Sequence, residues 1–105
     1  MIITETSVFT KQITELLPDA EYARLQHFLV FNPTAGDIIQ HSGGLRKVRW
    51  KSVTGGKRGG IRVIYYWQVK DGELFMLLAY GKGEKGDLSA KELKFLREIV
   101  RRVLS

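Results

Sequence analysis

Apolar residues in the first third of the chain recur at the spacing of α-helices. One stripe runs through residues 7–17 and ends before Pro18, because a proline disfavours helical backbone in the residue that precedes it. A second stripe follows Asp19, whose carboxylate we expect to cap the helix, and it stops before Pro33. A short β-branched run beginning at Ile2 precedes both stripes. The pattern predicts a strand followed by two helices.

The middle of the chain changes to the two-residue period of β-strands. In residues 45–53, one face carries Leu45, Lys47, Arg49 and Lys51, and the other carries Arg46, Val48, Trp50 and Ser52. Residues 61–69 are almost wholly β-branched and aromatic apart from Arg62 and Gln68, and residues 74–80 are continuously apolar. Asp71 and Gly72 lie between these two runs and predict an antiparallel hairpin with a two-residue type I′ turn. We expect residues 74–80 to be buried on both faces in the middle of the sheet.

The last third of the chain predicts one further helix. Ser89 and Glu92 have the spacing of a capping box, and an apolar stripe follows them through Leu93, Leu96, Val100 and Val103. The order of elements predicts an α+β fold with a small antiparallel β-sheet of three to five strands, two helices before the sheet and one after it. No internal repeat is visible, so residues 1–105 are predicted to form a single domain.

The composition and the lone motifs exclude several classes of function. The chain has no cysteine, which excludes a disulfide scaffold, a zinc–thiolate site and a cysteine nucleophile. No signal peptide or run of about 18 apolar residues is visible, so we expect a cytoplasmic protein. His27 and His41 have no partners at ligand spacing, and no metal site is predicted. Gly81, Gly83 and Gly86 match a dinucleotide-binding fingerprint, but no strand follows to complete a parallel βαβ unit, so no cofactor is predicted.

Positive charge is concentrated in the middle of the chain. The formal net charge is +6, and eight of the 17 Lys and Arg residues lie between residues 41 and 70, where there is no Asp or Glu. Such a patch points to a polyanion, although an anionic membrane surface, an acidic protein or plain solvent would also suit it. Arg62 favours a functional phosphate site, because an arginine inside an apolar strand must meet an anion or face a cleft. The same patch contains Arg46, Lys51, Lys57 and Arg58, which we expect to bind the polyanion.

Three segments of the chain carry a more specific signal. They read Gly-Gly-Leu-Arg-Lys-Val-Arg at 43–49, Gly-Lys-Arg-Gly-Gly-Ile-Arg-Val-Ile-Tyr-Tyr at 56–66, and Tyr-Gly-Lys at 80–82. In this order they resemble the RelE/HigB family of bacterial toxins, and the HigB branch most closely. The resemblance implies a RelE-like fold, in which two N-terminal helices pack on a compact antiparallel sheet that a C-terminal helix follows. It also implies the toxin of a type II toxin–antitoxin system, which cleaves translated mRNA in the ribosomal A site without metal and inhibits translation.

The resemblance assigns catalytic roles by position. The expected catalytic residues are Arg62, Lys47, Lys82, Arg49 and Tyr80, and the residues expected to bind RNA or the ribosome are Arg46, Lys51, Lys57 and Arg58. Lys47 and Arg49 match basic residues on the strand before the basic loop, and Arg62 matches the sheet arginine of the family. Lys82 matches a basic residue that follows the last strand. Arg62 would hold the scissile phosphate, since guanidinium is always charged and binds phosphate oxygens in pairs.

Two departures from RelE leave the proton transfers open. Gly83 occupies the position of a RelE arginine, and Ser89 lies near the position of a functional tyrosine. Tyr80 or a lysine would have to substitute. We expect Lys47 to act as the base and Lys82 to assist the leaving oxygen or the phosphate, and these two roles are interchangeable.

The resemblance also implies partners, and two other functions remain open. The partners are a cognate HigA-like antitoxin with a helix-turn-helix DNA-binding domain, the ribosome and mRNA. Operator DNA is reached only through the antitoxin, and no membrane is involved. One alternative is a ParE-type toxin that inhibits gyrase by binding, although that type lacks the basic cluster. The other alternative is a non-catalytic RNA-binding domain.

Overall fold

The computed structural model describes residues 1–51, 60–84 and 86–104, and for residue 104 it describes the backbone alone. The described elements are β1 (Ile2–Glu5), α1 (Ser7–Leu16), α2 (Asp19–Phe31), β2 (Asp37–Ile38), β3 (Leu45–Trp50), β4 (Ile61–Gln68), β5 (Glu73–Gly81) and α3 (Ala90–Leu104). The predicted α+β fold, with two helices before the sheet and one after it, is confirmed. The predicted end of β3 at Val53 and most of the basic loop after it lie outside the described residues.

The strands form one sheet in the order β1-β5-β4-β3-β2. The run from β2 to β5 is antiparallel, as predicted, but β1 pairs with β5 in parallel, so the sheet is mixed. A hairpin would force β1 to run antiparallel to its neighbour. Here most of the domain separates the two strands in sequence, and either direction is open to β1. The strand of residues 73–81 lies between two others, as predicted.

Helices α1 and α2 pack on one side of the sheet, here called the α1–α2 face. Its core is formed by Phe9, Ile13, Leu17, Leu25, Leu29, Val48, Val63, Tyr65, Leu74 and Met76. The predicted cap of α2 was wrong: Pro18 is the N-cap and Asp19 is the first helical residue. Pro18 has an extended backbone, and its carbonyl accepts from the Tyr22 N–H at 3.0 Å, so helical bonding starts one residue earlier. Asp19 still lies in the first turn, where a carboxylate favours the helix dipole.

Helix α3 packs on the opposite side of the sheet, here called the α3 face. Its core is formed by Leu45, Ile64, Leu77, Tyr80, Leu96 and Val100. The predicted capping box is confirmed, since the Glu92 N–H donates to Ser89 Oγ at 3.1 Å and the Ser89 N–H donates to Glu92 Oε1 at 3.0 Å. None of the helices in the described ranges is long and apolar enough to cross a membrane.

The turn between β4 and β5 differs from the predicted two-residue hairpin. Gln68 and Glu73 are the last paired residues, and the Gly72 N–H donates to the Val69 carbonyl at 3.2 Å. A type I′ turn at Asp71 and Gly72 would need positive φ at both positions. Of these two residues only Gly72 has a positive φ, at 62°. The turn is therefore centred one residue earlier than predicted, and the connection between the strands is four residues long.

A β-bulge divides β5 into two halves. Ile64 pairs with Leu78, whereas Tyr65 pairs with Met76, and this shift passes over Leu77. The Leu77 carbonyl accepts instead from the Thr6 hydroxyl at 3.0 Å, so the bulge keeps a hydrogen bond. Two successive residues of β5, Leu77 and Leu78, therefore lie on the α3 face. The alternation of β5 is reversed beyond this point, which places residue 80 on the α3 face as well.

Candidate functional site

Two arginines and a tyrosine form a row across three neighbouring strands. Arg49 of β3 lies directly opposite Arg62 of β4, and Arg62 lies directly opposite Tyr80 of β5. Residues opposed in this way share a face of the sheet, with Cβ atoms about 4.5–5.5 Å apart. The alternation of β4 assigns this face to the α3 side, because Ile64 packs there. We call these three residues the arginine row.

The members of the arginine row differ in their exposure to solvent. Arg62 is only 8% exposed and Tyr80 only 3%, whereas Arg49 is exposed. The favourable partners of a guanidinium are oxygen anions, which it can bind through two N–H groups. The row therefore offers two fixed positive charges and a phenol within one strip of sheet. Such an array suits the spread negative charge of a phosphate undergoing transfer.

Lys47 lies two residues before Arg49 and on the same face of β3. Its side chain is 33% exposed, and its Nζ lies 3.1 Å from the Oδ1 of Asp87 in the segment that leads to α3. Asp37 of β2 is directly opposite Lys47 in the sheet. Both carboxylates and Tyr80 line a cleft of about 440 Å³ beside Lys47. In this ion pair the Lys47 ammonium is a hydrogen-bond donor, and it has no lone pair with which to accept a proton until it has itself lost one.

Lys82 and Lys51 lie just beyond the strands, at the end of the sheet where the arginine row is found. Lys82 is exposed in the turn after β5, and its N–H donates to the Gly60 carbonyl at 3.4 Å. Lys51 is exposed directly after β3. The structure thus brings Lys47 alongside the arginine row and leaves Lys82 and Lys51 at its margin. The other two predicted RNA-binding residues, Lys57 and Arg58, lie outside the described residues.

Arg46 lies on the other face of the sheet from the rest of the predicted site. It opposes Tyr65, which is part of the core beneath α1 and α2. The Arg46 Nη1 donates to the carbonyls of Thr34 at 3.2 Å and Gly36 at 2.7 Å. These contacts anchor the connection between α2 and β2. The structure therefore gives Arg46 a structural contact on the α1–α2 face and separates it from the arginine row.

The Tyr65 hydroxyl anchors the same connection. It donates to the Pro33 carbonyl at 2.8 Å and accepts from the Gly36 N–H at 2.9 Å. Burial raises the pKa of Tyr65, while the Gly36 N–H and the charge of Arg46 act in the opposite direction. This connection leads directly into β2 and Asp37, so Tyr65 helps to place one wall of the cleft beside Lys47.

Sequence reasoning missed the two carboxylates beside Lys47. Asp87 is 40 positions from Lys47 and stands in a glycine-rich turn, where no periodic pattern marks its side chain as part of a site. Asp37 belongs to a strand of two residues, which is too short to show alternation. The capping box at Ser89 was the only available signal, since it fixes where α3 starts and thus where Asp87 lies.

No protein-family model matches this chain. Its resemblance to the RelE/HigB family therefore rests on the three segments quoted above.

Proposed function

We propose that this protein is the toxin of a type II toxin–antitoxin system of the RelE/HigB kind, a ribosome-dependent, metal-independent endoribonuclease that cleaves translated mRNA in the A site. The arginine row is the observation that carries the proposal. An arginine that is only 8% exposed, with a second arginine and a tyrosine beside it across the sheet, concentrates positive charge and hydrogen-bond donors in one place. Such an arrangement suits the binding of a phosphodiester.

The reaction needs three tasks from the protein. The RNA 2′-hydroxyl gives up its proton and bonds to the adjacent phosphorus, the bond from phosphorus to the 5′-oxygen breaks, and that oxygen gains a proton. The products are a 2′,3′-cyclic phosphate and a 5′-hydroxyl. Arg62 and Arg49 stabilise the negative charge on the phosphorane oxygens. Lys47 takes the 2′-hydroxyl proton in its neutral amine form, Tyr80 is the other group beside the arginines that can move a proton, and Lys82 assists the leaving oxygen or the phosphate from the margin.

The proposed setting follows from this reaction. The protein works in the cytoplasm on the ribosome, which holds the message in position and so supplies much of the rate enhancement. A HigA-like antitoxin with a helix-turn-helix domain neutralises it between uses. That antitoxin also provides the only link to operator DNA. The positive net charge of the toxin assists its approach to the ribosome.

The test is cleavage of a defined message in a translating extract, with the cut sites mapped by primer extension. Arg62→Ala is expected to lower the cleavage rate by about 10²- to 10³-fold, the usual effect of removing one donor to a developing negative charge. Arg97→Ala is the matched control, because it removes the same charge from an exposed position on α3. It should leave cleavage within about twofold of wild type. Far-UV circular dichroism checks that both variants are folded.

Three results would contradict the proposal. Equal cleavage rates for wild type and Arg62→Ala would show that Arg62, the centre of the arginine row, does not contribute to the reaction. A wild-type protein that leaves messages intact but inhibits gyrase would be a binding toxin of the ParE type. One that binds RNA without any product would be a non-catalytic RNA-binding domain.

A further inference from the structure

An aromatic groove lies between α2 and the end of β3. Its main lining residues are Arg24, His27, Phe28, Phe31 and Trp50, and its volume is about 570 Å³. The rings are in contact: the centroids of Phe28 and Trp50 are 5.7 Å apart, and those of His27 and Phe31 are 4.7 Å apart. Phe31 is 71% exposed, an unusual amount for a large apolar side chain that belongs to a cluster. The groove thus presents flat ring surface to solvent.

The aromatic groove is continuous with the candidate site. Phe28 and Trp50 also line a second cleft, which contains Lys47 and Arg49. Lys47 in turn lines the cleft that contains Tyr80. Within the described sheet, β2 pairs with only two residues of β3, Arg46 and Lys47, so the edge of β3 beyond them is not covered by a neighbouring strand. A linear ligand can pass around this edge from the rings to the arginine row.

The chemistry along this path favours single-stranded RNA. An apolar protein segment would gain from the rings but would meet exposed cations at Arg49 and Lys51, and at Arg24, which is paired with Glu21 at 2.8 Å. A polynucleotide meets both features with its own two parts, because its bases stack on aromatic rings while its phosphates lie near cations. The second cleft is lined by Lys47 and Arg49 and by one acidic residue, Asp37, so its own charge balance is positive. Asp87 lines the cleft beyond it and pairs with Lys47.

We propose that the aromatic groove holds an unpaired base of the same RNA strand whose phosphate lies at the arginine row. This site rests on the proposed function for the identity of the strand, but it concerns binding and not cleavage. Stacking on a ring is tolerant of base identity, since every base has a flat face. The groove therefore fixes the position of the strand and not its sequence.

The experiment measures binding of a short fluorescein-labelled oligouridylate to the full-length protein by fluorescence polarisation at low salt. Phe31→Ala is expected to weaken binding by about 5- to 150-fold, which corresponds to the usual worth of one stacked base. Phe31→Trp should retain the affinity, because it keeps a ring. Phe95→Ala is the matched control: it removes a phenylalanine that is 63% exposed on another helix, and it should bind like wild type. An abasic sugar–phosphate oligomer of the same length should bind Phe31→Ala and wild type equally.

Several outcomes would overturn the groove as a base site. They are unchanged affinity in Phe31→Ala, an equal loss in Phe31→Ala and Phe95→Ala, an equal loss with the abasic oligomer, or no binding by wild type. Cleavage in the translating extract is scored separately. If the protein binds the oligomer through Phe31 but never cuts a message, the groove is supported as a base-binding site and the proposed cleavage reaction is refuted. If the wild-type protein cuts messages and Phe31→Ala binds RNA as tightly as wild type, the cleavage reaction is supported and the groove is refuted as a base-binding site.

Discussion

Replacing Tyr65 by phenylalanine should destabilise the protein far more than the loss of one oxygen atom suggests. The side chain is fully buried, and its hydroxyl joins the Pro33 carbonyl to the Gly36 N–H. The phenylalanine ring fills the same core space. The change therefore isolates the two hydrogen bonds that hold the connection between α2 and β2.

The expected loss follows from the burial of the two partners. The Gly36 N–H is buried, and a buried polar group left without a partner costs about 1–3 kcal/mol. The Pro33 carbonyl is only partly buried and can recover some hydration, so its contribution lies near the lower end of that range. We expect a total of about 2–4 kcal/mol, which lowers the melting temperature of a domain of this size by about 10–20 °C.

Urea unfolding followed by circular dichroism measures this loss. Tyr66→Phe is the matched control, because Tyr66 is the next residue of β4 and its hydroxyl makes no hydrogen bond to the described residues. It should change the free energy of unfolding by less than about 0.5 kcal/mol. The slope of the transition should stay constant in both variants, since neither changes the surface exposed on unfolding. A Tyr65→Phe protein as stable as Tyr66→Phe would refute the assignment of the hydroxyl as an anchor.

Two further predictions concern the backbone and pH. Gly60→Ala should lower the free energy of unfolding by at least about 2 kcal/mol, because residue 60 has a φ of 78° and a Cβ there would lie 2.6 Å from the Trp50 carbonyl oxygen. Gly83→Ala is the control, since a Cβ at residue 83 meets open space and should change stability little. Equal effects of the two substitutions would contradict this account. Burial raises the pKa of Tyr22 and Tyr65 in the folded protein, reinforced for Tyr22 by a hydrogen bond to a glutamate. Their contribution to stability is therefore complete below the unfolded pKa of about 10 and is lost as the pH rises above it. The unfolding free energy should fall above about pH 10, and a flat profile there would contradict the assignment.

Much of the site was predictable wherever local alternation decides which way a side chain points. Lys47 and Arg49 share a face because they are two apart on a strand, and Arg62 was conspicuous as a charge inside an apolar strand. The helix start at Ser89 was predictable for a similar reason, since a capping box uses only contacts between residues three positions apart. These features depend on local geometry, which the sequence displays directly.

The remaining features depend on contacts between distant segments. The run of β5 is apolar at every position near Leu77, so it contains no alternation that could reveal a bulge. The ion pair of Lys47 with Asp87 needs α3 to be packed before the two residues meet. Alternation already places Arg46 on the face opposite Lys47 and Arg49, but its contact with the Gly36 carbonyl depends on a connection that lies elsewhere in the sequence.

The pairing of β1 with β5 has a consequence for the newly made chain. A ribosome synthesises the first strand and α1 long before their partner strand exists. The hydrogen bond from the Thr6 hydroxyl to the Leu77 carbonyl can form only after residue 77, 71 positions later, has been made. Such long-range closure is slow and comes late in folding. The arginine row also needs three strands, of which β5 is the last. Under the proposed function, a chain whose synthesis has not yet passed β5 lacks the arginine row and cannot cleave the message on the ribosome that is making it.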